Sequence, residues 1–161
     1  MRKITIVMIL LTACMFLFTG CKTSTARSEE QSLRVYSFSG ENESMSVSNG
    51  VIVLDGKDEI CYGGDLKVMS DDFADITAYS ATIYINGSEK EILLSNEAHD
   101  QTGETLEVSG NIGKISGDLL RDKDIDKWVD NLWFELKTTN LNGEENTYQL
   151  QLETRKITNE K

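Results

Sequence analysis

Apolar and polar side chains alternate with a period of two over most of the chain after residue 32. Over residues 131–138, one face carries Leu132, Phe134 and Leu136, and the opposite face carries Trp133 and Glu135. Because successive side chains of a strand point to opposite faces, this alternation predicts half-buried antiparallel strands. The other strand-like runs are 33–39, 45–54 (with a break at residues 49–50 left open), 59–69, 77–85, 90–95, 105–109, 113–119 and 147–153.

Asn86-Gly87 predicts the turn that follows the 77–85 run. A two-residue type I′ loop there pairs Ala81 with Ile92, so that apolar residues meet across the hairpin. Two further turn signals are Asp55-Gly56, which predicts another hairpin, and Gly63-Gly64, which predicts a bulge inside a strand.

Asn142-Gly143 calls for a different loop length. With a two-residue loop, Leu136 would lie opposite Gln149, and a core residue would then face a surface residue. A three-residue loop over residues 141–143, with Gly143 left-handed, pairs Leu136 with Tyr148 instead. We therefore predict the second register, which also pairs Phe134 with Leu150.

The fold class follows from eight or nine short strands, frequent turns and the lack of a sustained helical period. These features predict an all-β domain, an antiparallel β-sandwich of the immunoglobulin-like type. At most one short helical turn is expected, within residues 118–130. The domain is expected to occupy residues 33–157, followed by a polar tail at 158–161.

The N-terminal segment has the pattern of a signal peptide. Arg2 and Lys3 precede an apolar run over residues 4–18. A helix of that length rises only about 22 Å, which is short of the roughly 30 Å of a bilayer's hydrocarbon core. We therefore predict that residues 1–20 are a signal peptide and not a membrane-spanning anchor.

Residues 18–21, Phe-Thr-Gly-Cys, resemble the lipobox of bacterial lipoproteins. The resemblance implies cleavage between Gly20 and Cys21 and lipidation of Cys21, with two acyl chains such as palmitate in the membrane. Two chains suffice for stable anchoring. Residues 11–14 also resemble a lipobox, but cleavage there would leave an apolar mature end, whereas a polar stretch follows Cys21. A plain secreted protein is the remaining alternative.

Charge sharpens this prediction. The chain has 161 residues, a formal net charge of −11 and a sequence pI near 4.5. Loss of residues 1–20 removes two basic side chains and leaves 14 basic against 27 acidic ones, a net charge of −13. An acidic domain is repelled by anionic lipid, and no basic stripe is present for nucleic acid. Residues 21–32 then form a lipidated cysteine and a polar tether about 18 Å long, which is enough to clear the lipid headgroups. The domain is expected to be extracytoplasmic and to stand off the bilayer.

Residues 36–43, Tyr-Ser-Phe-Ser-Gly-Glu-Asn-Glu, resemble the opening of small surface lipoproteins of Gram-positive bacteria. This resemblance implies a surface β-sandwich and carries no activity with it.

Acidic residues are the candidate metal ligands. Asp122, Asp124 and Asp126 match the first three positions of an EF-hand calcium loop. The match ends there, because Lys127 occupies the position that requires glycine and Trp133 the position that requires glutamate. We therefore expect no cofactor, with Ca²⁺ at these aspartates as the alternative; a weaker acidic group is Asp71, Asp72 and Asp75.

Catalytic signatures are missing from the sequence. His99 is the single histidine and lies in a polar stretch, 95–101, that predicts a loop. Neither a nucleophile elbow nor a Cys-His signature is present. Once Cys14 leaves with the signal peptide and Cys21 carries lipid, Cys61 has no partner within the chain and is expected to be buried in a strand, with a reactive or intermolecular thiol as the alternative. We therefore expect no enzyme, with a small hydrolase that uses Asp, Glu or Ca²⁺ as the alternative.

Trp133 is the most informative side chain for function. The alternation places it on the polar strand face with Glu135 and, across the hairpin, with Gln149 and Gln151. An exposed tryptophan there suits a protein or sugar contact; the alternative is that it packs beneath a loop. Trp128 is in phase with the core set and is expected at the core edge. The sequence thus predicts a membrane-anchored extracytoplasmic binding or accessory module for a protein or cell-wall glycan partner.

Overall fold

The computed structural model describes residues 33–55, 59–117 and 128–158. Several sequence predictions lie outside these residues. They are the signal peptide, the cleavage and lipidation site at Gly20 and Cys21, the tether, Gly56, the acidic residues Asp122, Asp124 and Asp126, and the end of the polar tail.

The described residues form eleven strands and two short 3-10 turns, at Asp71–Phe73 and Val129–Asn131. The all-β prediction is therefore confirmed, although the strands outnumber the eight or nine expected and the turn at Asp71–Phe73 exceeds the single helical turn expected. The strands are β1 Arg34–Glu41, β2 Met45–Leu54, β3 Glu59–Tyr62, β4 Asp65–Val68, β5 Ile76–Asn86, β6 Lys90–His99, β7 Gly110–Asn111, β8 Lys114–Gly117, β9 Leu132–Asn140, β10 Glu145–Gln151 and β11 Glu153–Lys156.

Two antiparallel sheets pack against each other. The larger sheet has the order β11-β1-β2-β3-β8, with β4 paired to β2 and β7 paired to β4. The smaller sheet has the order β10-β9-β5-β6. Their inward faces share one hydrophobic core, which is the arrangement of a β-sandwich. The immunoglobulin-like assignment stays a prediction.

The β9–β10 hairpin has the predicted register. Leu136 pairs with Tyr148, and Phe134 pairs with Leu150. Gly143 has a φ of +78°, and its N–H donates to the Asn140 carbonyl oxygen at 2.9 Å. The three-residue loop and the left-handed glycine that the sequence predicted are therefore confirmed.

The predicted β5–β6 register was wrong. Asn86 pairs with Lys90, so the loop spans residues 87–89, and neither Asn86 nor Gly87 has the positive φ of a type I′ turn. A bulge follows, because Tyr84 pairs with Ile92 while the preceding residue of β5 pairs with Leu94. The bulge lets two adjacent leucines, 93 and 94, reach the core and turns Ile92 outward, where it is 60% exposed.

The run 59–69 is two strands and not one strand with a bulge. β3 pairs with the second half of β2, and β4 pairs with the first half. Between them Gly64 has a φ of +80°, and Asn49 on the unbroken β2 has a φ of +60°. A Cβ on Gly64 would overlap the Ser48 carbonyl oxygen and lie 2.7 Å from the Gly50 nitrogen. The glycine pair thus separates β3 from β4 at the point where the chain passes close to the backbone of β2.

The run 147–153 also splits, because the chain changes sheets. β10 ends at Gln151 in the smaller sheet, and β11 begins at Glu153 beside β1 in the larger one. The residue between them, Leu152, is buried, and its N–H donates to the Leu132 carbonyl oxygen at 2.9 Å.

The predicted strand at 105–109 was wrong. That segment is irregular and packs on the sandwich without forming a strand, with Val108 buried.

Trp128 and Cys61 are both core residues. Trp128 is 1% exposed and meets the Tyr36 ring edge-on, with ring centroids 5.1 Å apart, so it lies inside the core and not at its edge. Cys61 lies on β3 and is 0% exposed, which confirms the prediction of a buried strand cysteine. Burial raises the pKa of its thiol to about 12, so hardly any reactive thiolate forms near neutral pH.

Candidate functional site

The outward side chains of the smaller sheet form a regular grid, which we call the outer face. The antiparallel registers of β10, β9, β5 and β6 place one side chain of each strand in every row. The first row is Gln151, Trp133, Tyr84 and Ile92, and the second is Gln149, Glu135, Thr82 and Ser95. The four residues predicted as a binding surface therefore do lie together, and Tyr84 and Thr82 from β5 join them.

Burial deepens toward the middle of the outer face. On the central strands Thr82 and Tyr84 are buried and Glu135 is 7% exposed, whereas Gln149 and Gln151 on β10 are exposed. Trp133 is half-buried. The sequence predicted a tryptophan either exposed or packed beneath a loop, and the structure places it between these alternatives. Trp133 is therefore partly accessible, with buried residues beside it on the central strands and exposed residues on the two outer strands.

Glu135 is the centre of a charged network on the outer face. Lys90 Nζ lies 2.7 Å from its Oε1, and Lys137 Nζ lies 3.6 Å from the same oxygen. The other oxygen accepts a hydrogen bond from Gln149 Nε2 at 2.9 Å. Lys90 also lies over the Tyr84 ring, 4.0 Å from its centroid. A carboxylate this deeply buried is tolerated because each oxygen has a partner.

The network changes two proton equilibria. Burial by itself raises the pKa of Glu135, but the hydrogen bonds from Lys90 and Gln149 and the charges of Lys90 and Lys137 outweigh it and hold that pKa below its ordinary value. Burial, and then the negative charge of Glu135, raise the pKa of Tyr84. Glu135 is therefore charged and Tyr84 is a neutral phenol over the physiological range.

Glu135 should make the stability of the domain depend on acid. Because its folded pKa lies below the unfolded value of about 4.5, its contribution is present above that pH and is lost as the pH falls through the folded pKa. We expect wild-type protein to lose more unfolding free energy than Glu135→Gln between about pH 5 and about pH 3, measured by urea denaturation. Glu145→Gln, an exposed glutamate of the outer face, is the matched control. Equal losses in wild type and Glu135→Gln would contradict the network.

A depression of about 230 Å³ lies at the other end of the outer face. It forms because Ala78 and Ser80 on β5 are small and have longer side chains on both sides. The third row is Thr147, Lys137, Ser80 and Glu97, and the fourth is Glu145, Thr139, Ala78 and His99. The volume is below the roughly 300–1,000 Å³ of enclosed small-molecule pockets, so the depression suits one part of a longer ligand.

His99 lies on the rim of this depression and not in a loop. The prediction for residues 95–101 was wrong, because β6 continues to His99, which pairs with Ala78 and is exposed. The alternation that would have shown the strand is masked by polar residues on both of its faces there.

Among the candidate metal ligands, only Asp71, Asp72 and Asp75 lie in the described residues. Within residues 33–55, 59–117 and 128–158, no group of three or more histidine, cysteine or acidic side chains is placed to hold an ion. Asp71 and Asp72 lie in a 3-10 turn, where the Asp72 N–H donates to the Ser70 hydroxyl at 3.2 Å.

Comparison with known proteins adds no assignment. No protein-family model matches the chain, and no curated protein or solved structure shows significant similarity to it. In the described parts of the chain, no helix combines the length and the apolar character that a membrane crossing needs.

Proposed function

We propose that the protein is a lipid-anchored extracytoplasmic binding or accessory module that contacts its partner, a protein or a cell-wall component, through the outer face of its smaller sheet. The observation that carries this proposal is the half-buried Trp133 in the first row, next to the ordered side chains around Glu135. Aromatic residues that remain partly open among polar neighbours are typical anchors of recognition surfaces.

The outer face is organised before any partner arrives. Lys90 is held by Glu135 and by the Tyr84 ring, and Gln149 is held by Glu135. Side chains that are already ordered lose less conformational entropy on binding, which otherwise costs about 0.5–1.5 kcal/mol for each flexible side chain. Trp133 adds a large contact area with few rotatable bonds. Ordered polar side chains beside a partly exposed tryptophan therefore favour recognition of a partner.

The anchor and the tether support the extracytoplasmic location. The lipobox-like residues 18–21 provide Cys21 for two acyl chains, and polar residues follow at once. The tether spans about 18 Å, and the net charge of −13 on the mature chain opposes contact with anionic lipid. The tether and the charge together favour a domain that stands away from the membrane, where a partner can reach it.

Replacement of Cys21 tests the anchor. We expect Cys21→Ala to lose metabolic incorporation of labelled palmitate, because the lipid is attached through the cysteine sulfur and alanine has none. Cys14→Ala is the matched control, since it removes the other cysteine of the leader and should keep the label. Label that persists in Cys21→Ala and disappears in Cys14→Ala would move the anchor to residue 14. Label that is absent from wild type would refute lipidation.

A further inference from the structure

We propose that the outer face takes a neutral polysaccharide strand, which lies along β5 from the Trp133 row to the depression at Ala78 and Ser80. This inference rests on the proposed function and names the chemical class of the partner.

The size of the outer face fits a narrow chain. Four rows separated by two residues each span about 20 Å along the strands, and four strands span about 14 Å across them. A stable interface with a globular protein takes about 20–30 residues on each side, which is more than the four rows of four side chains in this grid. A linear oligosaccharide is narrow enough to lie along the central strands and long enough to reach from the Trp133 row to the depression.

The side chains along that path match the two kinds of surface that a sugar ring presents. A pyranose has C–H groups on its faces and hydroxyl groups around its rim. The partly open Trp133 ring can receive a C–H face, and the exposed amides of Gln149 and Gln151 flank it on β10. On the other side the Ser95 hydroxyl lies 3.2 Å from that of Thr82, so hydroxyl partners continue along the path. The depression then offers room for a further ring.

The charges of the outer face favour a neutral ligand over an anionic one. Its two lysines, Lys90 and Lys137, converge on the single carboxylate of Glu135. The remaining ionised residues of the third and fourth rows are Glu97 and Glu145, and both are acidic. A phosphate-rich or carboxylate-rich chain would meet a face on which three carboxylates outnumber two lysines, and both lysines already lie within 4 Å of Glu135.

A peptide is a poor occupant of the same path. Peptide N–H and C=O groups need hydrogen-bond partners, and extended peptides find them by pairing with the edge of a sheet. A peptide laid across β9 and β5 would meet only side chains, because the backbone groups of these central strands already pair with their neighbours. Sugar hydroxyls, by contrast, pair well with side-chain amides and hydroxyls.

The test uses the full-length protein in detergent micelles and, as probe, purified cell-wall glycan stripped of protein and of anionic polymers. We expect wild-type protein to be retained on this glycan. A neutral tetrasaccharide of N-acetylglucosamine should compete better than the monosaccharide. Trp133→Ala should weaken retention by about tenfold or more, the size of loss typical of an aromatic hot spot. Leu141→Ala is the matched control, since Leu141 is an exposed apolar residue of the β9–β10 loop that does not line the depression.

A parallel binding measurement on intact cell envelope separates the two proposals. Trp133-dependent retention that disappears when the envelope is treated with protease would identify a protein partner; it would overturn the glycan inference and leave the proposed function standing. Retention on neither material, or retention that Trp133→Ala leaves unchanged, would overturn both.

Discussion

Gly64→Ala is expected to lower the unfolding free energy by about 3 kcal/mol or more, because two separate costs combine at this residue. Gly64 has a φ of +80°, a conformation that costs an L residue about 1–2 kcal/mol. A Cβ there would also overlap the Ser48 carbonyl oxygen and lie 2.7 Å from the Gly50 nitrogen. Both obstacles are backbone atoms of β2, so relief requires the Gly64 segment and the central strand of the larger sheet to move apart.

Gly103→Ala separates these two costs. Gly103 has nearly the same backbone conformation, with a φ of +84°, but an added Cβ would meet nothing within 4 Å. It should therefore lose only the conformational part, about 1–2 kcal/mol. Urea denaturation of both variants measures the difference directly. Equal losses would show that the approach of the Gly64 segment to β2 is not as close as described.

Trp128→Ala is expected to lower the unfolding free energy by about 3–5 kcal/mol, the range for removal of a large buried aromatic side chain. Trp128 is fully buried and meets Tyr36 at an interplanar angle of 67°. Its loss leaves a cavity beside Tyr36 and removes an aromatic pair worth about 0.5–1.5 kcal/mol. The measurement is urea denaturation monitored by circular dichroism.

Trp128→Phe provides the matched control for that substitution. Phenylalanine keeps an aromatic ring beside Tyr36 and leaves a smaller cavity, so it should cost less than half as much as alanine. A loss below about 1 kcal/mol for Trp128→Ala would contradict its place in the core.

Two hairpins show where alternation predicts the register and where it does not. In the β9–β10 hairpin single apolar residues alternate with polar ones, so only one pairing places Leu136 and Tyr148 on the same face. In β6 three apolar residues follow one another, and Ile92 is indistinguishable from its neighbours. Which of them reach the core depends on the facing sheet, and the outcome is a bulge that turns Ile92 outward. The information lies in tertiary packing and not in the local pattern.

The splitting of strands has a similar origin. The strand-like run 59–69 continues through Gly63-Gly64 in the sequence, yet its two halves pair with different parts of β2. Residues 147–153 keep a period of two even though the chain moves from one sheet to the other at Leu152. Alternation reports which side chains are buried, and it does not report which strand lies alongside.

The candidate surface was predictable only within one hairpin. Trp133, Glu135, Gln149 and Gln151 share a face because the β9–β10 register follows from the local sequence. Tyr84 and Lys90 were missed because they come from β5 and β6. The position of these two strands beside β9 depends on long-range strand pairing and not on the local sequence. The burial of Glu135 was missed for the same reason, since its lysine and tyrosine neighbours lie on those strands.

The central claim is that Trp128 belongs to the core and Trp133 to a contact surface. The most direct test is Trp133→Ala, measured in parallel for unfolding free energy and for retention on the stripped cell-wall glycan. We expect this variant to lose less than half of the stability that Trp128→Ala loses, because Trp133 is only half-buried. Its retention should still fall by about tenfold or more. A folded Trp133→Ala protein that binds as well as wild type would contradict a contact surface centred on Trp133.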